Sequence, residues 1–111
     1  MNDNDVILNV HMEAVAGHEE ELAALLQALV PPTQQEPGCH IYQLHRDPAD
    51  PGKFMFYERF VSQQALDAHS ASPHLTQFRA TRAASNPDPL ARMTVTQWRV
   101  FAQPISPCTT Q

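Results

Sequence analysis

Apolar and polar residues alternate with a period of two in four stretches of the chain, and helical spacing fills the intervals between them. Val6 to Met12 sets Val6, Leu8, Val10 and Met12 on one side and Ile7, Asn9 and His11 on the other, the pattern of a strand buried on one face. Gly17 to Val30 then carries Leu22, Leu25, Leu26 and Leu29 at i, i+3, i+4 and i+7, a single helical stripe. Glu19, Glu20 and Glu21 crowd its first turn, where the helix dipole favours negative charge. Pro31-Pro32 predicts a stop or a kink at that point, with room for a last irregular turn over Thr33 to Gln35. Glu36-Pro-Gly-Cys39 reads as a turn into a second strand over 39–46. There His40, Tyr42, Leu44 and Arg46 oppose Ile41, Gln43 and His45; both faces are mixed, which suits an edge strand or a pocket wall.

Asp47-Pro-Ala-Asp-Pro-Gly52 is made of turn formers and predicts a hairpin into a third strand over 53–61. On that strand Glu58 shares a face with Phe54, Phe56 and Phe60. An acid among three phenylalanines is costly to bury unless it is paired or functional. Ser62 is a good N-cap for a short helix to about residue 71, and Ser72-Pro73 restarts helix to about Ala84, with Leu75 and Phe78 inward. Ser85-Asn-Pro-Asp-Pro89 is a loop, and 92–102 alternates as a last strand. The order β-α-β-β-α-β gives the α+β class: a ferredoxin-like split βαβ fold with a four-stranded antiparallel sheet and both helices on one face. Residues 1–103 form one domain whose first five residues are expected to be poorly ordered, and 104–111 form a flexible tail.

Composition narrows the function. The 111 residues carry a formal charge of -5, which leaves no electrostatic footprint for nucleic acid. No run of 18 apolar residues offers a membrane span, and the acidic start Met-Asn-Asp-Asn-Asp lacks a signal core, so the expected location is cytoplasmic. Cys39 and Cys108 have no metal spacing, and a disulfide between them is not expected. Among six histidines, His40 and His45 face opposite sides of a strand, while His69 and His74 lie across a Ser-Pro break; neither is a recognised ligand pair, so no metal is expected.

The ordered set Glu36-Pro-Gly-Cys39 with Tyr42, Phe56-Tyr-Glu-Arg-Phe60, Ala65-Leu-Asp-Ala-His69 and Ser72-Pro-His74 resembles the antibiotic biosynthesis monooxygenase domain family, and within it the quinol monooxygenases, over roughly residues 6–101. The resemblance implies a dimeric α+β barrel. Some members oxidise polycyclic phenols or quinols with dioxygen and no cofactor; others degrade haem, isomerise or process small signalling molecules, or have no known activity. Phe60 departs from the tryptophan often found in the family's Glu-Arg-Trp. Of three positions that serve haem degradation only Asn9 matches; His69 stands in the tryptophan place and Arg79 in the histidine place, which argues against that reaction. The resemblance also implies that Glu58 and its phenylalanines take the helix side. On that parity Val6, Leu8, Val10 and Met12, with Met55 and Tyr57, are expected on the opposite face, buried in a homodimer.

These residues define a candidate chemistry. Glu58 could orient His69 and raise its basicity, so that the ring takes a phenolic proton and the phenolate passes an electron to dioxygen. The same pair could equally be a structural tie between strand and helix. Tyr42, Phe54, Phe56 and Phe78 could line a flat pocket for an aromatic ring or be ordinary core. Asn9 and His11 could bond substrate oxygens or face solvent. The expected function is a cofactor-independent monooxygenase acting on a quinol or polyphenol. The alternative is a non-catalytic dimeric domain that binds a small aromatic or signalling molecule. Proton-transfer chemistry on a phosphorylated metabolite is weakened by the lack of a phosphate-cradling loop, since Gly17, Gly38 and Gly52 are the only glycines.

Overall fold

Four antiparallel strands in the order β2-β3-β1-β4 carry all the helices on one face in the computed structural model, which describes residues 1–102. The elements are β1 (Val6–Ala14), α1 (Glu19–Gln34), β2 (Cys39–Arg46), β3 (Lys53–Phe60), α2 (Gln63–Ser70), α3 (Pro73–Ala84) and β4 (Leu90–Arg99). This is the expected α+β ferredoxin-like architecture. The two strands with the clearest alternation, β1 and β3, are central; β2, mixed on both faces, is an edge. The residues expected as a tail beyond 103, with Cys108, lie outside the described part of the chain.

The face assignment of β1 is corrected by the register. Leu8 lies opposite Glu58, Val10 opposite Phe56, Met12 opposite Phe54 and Val6 opposite Phe60. Directly opposed residues of an antiparallel pair share a face. The even residues of both strands therefore point together, toward the helices, and all of them are buried. Residue numbers on two strands carry no shared parity; the register sets it. The most apolar stripe of the chain packs under α1, whose Leu22, Leu26 and Leu29 are buried against it. Burying each of these side chains contributes about 1.5–3 kcal/mol. The opposite face presents Ile7, Asn9, His11, Met55 and Tyr57, with Trp98 on β4 opposite Ile7.

Three further expectations change. Helix α1 continues through Pro31 and Pro32 to Gln34. Proline keeps a helical φ but forfeits its N–H and crowds the carbonyl four residues earlier, so here it weakens the last turn without ending it. Thr33, fully buried, holds that turn down, and Gln35 and Glu36 close it by donating to the carbonyls of Pro32 and Thr33 at 3.2 and 3.0 Å. The N-terminus is also tied down. Asp5 is buried and accepts from Arg59 Nε at 2.7 Å, so the chain entering β1 is fixed on the outer face of the sheet. The last strand starts two residues earlier than expected, at Leu90, and is bare on both faces: Met93, Val95 and Trp98 are each about half exposed.

Candidate active site

Helices α2 and α3 abut through one turn, and the sequence dictates the break. Ser62 accepts from the N–H of Ala65 to start α2; Ser72 accepts from the N–H of Leu75 to start α3, with Pro73 in its first turn. His69 at the end of α2 and His74 at the start of α3 therefore face each other, ring centroids 6.1 Å apart. The turn before β2 slides beneath α2. A Cβ at Gly38 would lie 2.4 Å from the Cβ of Ala65, so only glycine permits this approach. It delivers Glu36, two residues earlier, to the gap between the histidines.

Glu36 is the organising acid of the site. Both rings donate to its Oε2, His69 through Nδ1 at 2.9 Å and His74 through Nε2 at 2.6 Å. With Nδ1 committed to Glu36, a neutral His69 presents a bare Nε2 on the other side of the ring. That side holds Glu58, with Oε1 3.9 Å from Nε2, too long for a direct hydrogen bond. Burial, reinforced by the charge of Glu36, pushes the Glu58 carboxyl up to about 8, so at neutral pH it is mostly protonated. The orienting carboxylate expected in Glu58 is thus Glu36, and Glu58 is a second group facing the same space. Tyr42 packs edge-on to His69 at 5.3 Å and stacks on Phe56 at 4.4 Å. Burial first, then the charge of Glu58, drives the Tyr42 hydroxyl far above its usual range, so it stays a neutral phenol. Burial and the charges of Glu36 and Glu58 push the half-buried Cys39 thiol up to about 11, which makes it inert as a nucleophile.

His69 and Glu58 open onto a cavity of about 210 Å³ between the sheet and the helices. Tyr42, Phe56 and Phe78 line it as expected, together with Leu8, Val10 and Met12, the residues misassigned to the opposite face. The other expected site residues are elsewhere. Phe54 is buried beyond the cavity, under the guanidinium of Arg46 at 4.9 Å. Asn9 and His11 point to the opposite face, since they pair with Tyr57 and Met55; His11 lines a separate cleft with His45 and Lys53. Glu36, His69 and His74 bring three ligand-type atoms within 4.8 Å of one another, the one such group among the described residues. Their 2.6 and 2.9 Å separations are hydrogen-bond lengths, shorter than the about 3.4 Å that metal–ligand bonds of about 2.1 Å impose around a tetrahedral ion.

The family of antibiotic biosynthesis monooxygenases matches residues 5–81, which include Glu36, Glu58, His69 and His74. The chain belongs to this family. Among curated relatives, Rv0793 of Mycobacterium tuberculosis is 46% identical over 59 residues, 53% of this chain and 57% of that protein, and sll1783 of Synechocystis is 29% identical over 90 residues, 81% and 58%. The matched stretch thus spans a little over half the length of each. Among solved structures, PA3566 of Pseudomonas aeruginosa aligns with a TM-score of 0.81 at 30% identity, covering 89% of this chain and 96% of its own. Rv0793 aligns at 0.79 with 30% identity, covering 89% and 97%.

Membership of the family places the chain among monooxygenase-like proteins. The hydrogen-bond geometry brings forward two residues that chemical reasoning passed over. Glu36 and His74 both stood in the motif set that carried the family resemblance, but neither had a partner in sequence. Their link is Gly38, whose close approach to α2 is a three-dimensional fact. No helix of the described chain is long and apolar enough to cross a membrane.

Proposed function

We propose that this chain is a cofactor-independent monooxygenase for a quinol or polyphenol, with His69 as the general base. The supporting observation is the chain Glu36–His69–cavity: the carboxylate accepts the hydrogen bond from Nδ1–H, and Nε2 is left to accept a proton inside an apolar space. Glu36 stabilises the imidazolium that forms when the phenolic proton is taken. Glu58, held neutral by burial, donates to a substrate oxygen or to the reduced oxygen that develops beside it. The phenolate passes electrons to dioxygen. One oxygen atom enters the ring and the other leaves as water: hydroquinone and O₂ give hydroxybenzoquinone and water. The quinol supplies all four electrons, so no external reductant is required. Tyr42, Phe56 and Phe78 hold the ring, and no catalytic role falls to Asn9 or His11.

The same reading includes a homodimer formed by the outer sheet face and β4. Trp98, Met93 and Val95 are about half exposed, and β4 is an uncovered edge strand. Met93 and Val95 also line the cavity, so a partner covering β4 would complete its wall. An oxygen electrode tests the chemistry: aerobic hydroquinone should consume oxygen with wild type and not with His69→Ala. Saturable ligand binding with no oxygen uptake would instead support a binding domain.

A further inference from the structure

The cavity is small and mainly apolar apart from Glu58, His69 and Ser70, and it has one arginine at its boundary. An apolar cavity of about 150 Å³ accepts benzene, whereas drug-sized pockets run to about 300–1,000 Å³. At about 210 Å³ this one has room for a single substituted ring. Arg79, on α3, lines it and is itself exposed, which puts the guanidinium at the mouth. Its NH2 donates to the carbonyl of Ser70 at 2.8 Å, so it is anchored over the C-terminal end of α2, beside His69. Four of the other five arginines are spoken for: Arg46 pairs with Glu20, Arg59 with Asp5, Arg82 with Asp88 and Arg92 with Glu13; the fifth, Arg99 at the end of β4, does not line the cavity. Arg79 has no carboxylate within ion-pair distance among the described residues. A fixed guanidinium with donors to spare is the usual receptor for a planar carboxylate.

We propose that the substrate is a single-ring hydroxyaromatic acid whose carboxylate is taken by Arg79 while its hydroxyl faces His69. This rests on the reading of the cavity as the aromatic site. Arg79 is then a specificity residue: it selects the anion and takes no part in proton transfer. Within the cavity the neutral form of Glu58 offers the anion no opposing charge.

Anaerobic calorimetric titration at pH 7.5 separates this from the oxygenase reading, because it needs no turnover. The full chain is titrated with 2,5-dihydroxybenzoate and with its methyl ester, which has the same ring and no charge. Wild type should bind the acid at least about tenfold more tightly, as a charge-assisted pair requires. Arg79→Gln should bring the ratio to about one, and Arg79→Lys should keep part of it. Equal binding of acid and ester by wild type, a preference that survives Arg79→Gln, or no binding of the acid at millimolar concentration each overturns the inference. If the charge preference holds while oxygen uptake is absent, the anion site stands and the oxygenase reading falls.

Discussion

Replacing Glu58 by glutamine tests the electrostatics of the site without touching its shape. In the unfolded chain this carboxyl has its ordinary value of 4.5; in the fold, burial raises it to about 8. The folded protein therefore binds the proton more tightly than the unfolded one. Stability from this group is fully present below pH 4.5 and is lost as pH rises toward 8, where the carboxyl must ionise in place or the chain must open. The rise from 4.5 to about 8 corresponds to a loss of about 5 kcal/mol by pH 9, and of about 3 kcal/mol at pH 7, at roughly 1.4 kcal/mol per pH unit. Glutamine does not titrate, so this part of the pH dependence should vanish. Urea unfolding at pH 5, 7 and 9 reads it directly. The two proteins should differ least at pH 5, and Glu58→Gln should gain on wild type by several kcal/mol toward pH 9. Parallel stability curves across that range would show that Glu58 is ionised at little cost in the fold, and the assignment of a neutral acid to the cavity would fail.

Gly38→Ala places a methyl group 2.4 Å from the Cβ of Ala65, and the backbone shift should cost roughly 1–3 kcal/mol, measured as a lower urea midpoint. An unchanged midpoint would mean that the turn carrying Glu36 is free to move. Asp5→Ala removes the partner of Arg59 and should cost roughly 3 kcal/mol; a loss under about 0.5 kcal/mol would show that the N-terminal anchor is dispensable. Sedimentation equilibrium at micromolar concentration should give twice the 12.4 kDa chain mass, through an interface of roughly 2,000 Å² or more. A folded 12.4 kDa species would leave Trp98 and the rest of β4 in water and refute the dimer.

The order of elements was readable because each boundary has a local cause: the caps Ser62 and Ser72, the hairpin 47–52, the leucine stripe of α1. That Glu58 shares a face with Phe56 followed from alternation within one strand; that this face lies under the helices, beside His69, came from the family resemblance. What was not readable is relational. Alternation in β1 shows two faces but not which one lies beside Glu58; that depends on a register of eight pairs, in which one residue of slip exchanges the faces. This is why Asn9 and His11 looked like site residues and Leu8, Val10 and Met12 did not. Glu36 and His74 were missed for a related reason. They lie 38 residues apart, and they meet because a glycine lets one turn pass under α2.

The most direct test of the central claim is the tautomer and function of His69, read in one pair of variants. Nitrogen-15 NMR of the ring should show the proton on Nδ1 in the neutral wild type, with Nε2 bare. Glu36→Gln should weaken that tautomer and cut hydroquinone-dependent oxygen uptake by about 10²-fold, the scale of a general base, while Glu36→Asp recovers part of the rate. A ring protonated on Nε2 in wild type, or oxygen uptake that is unchanged in both Glu36→Gln and His69→Ala, would contradict the account.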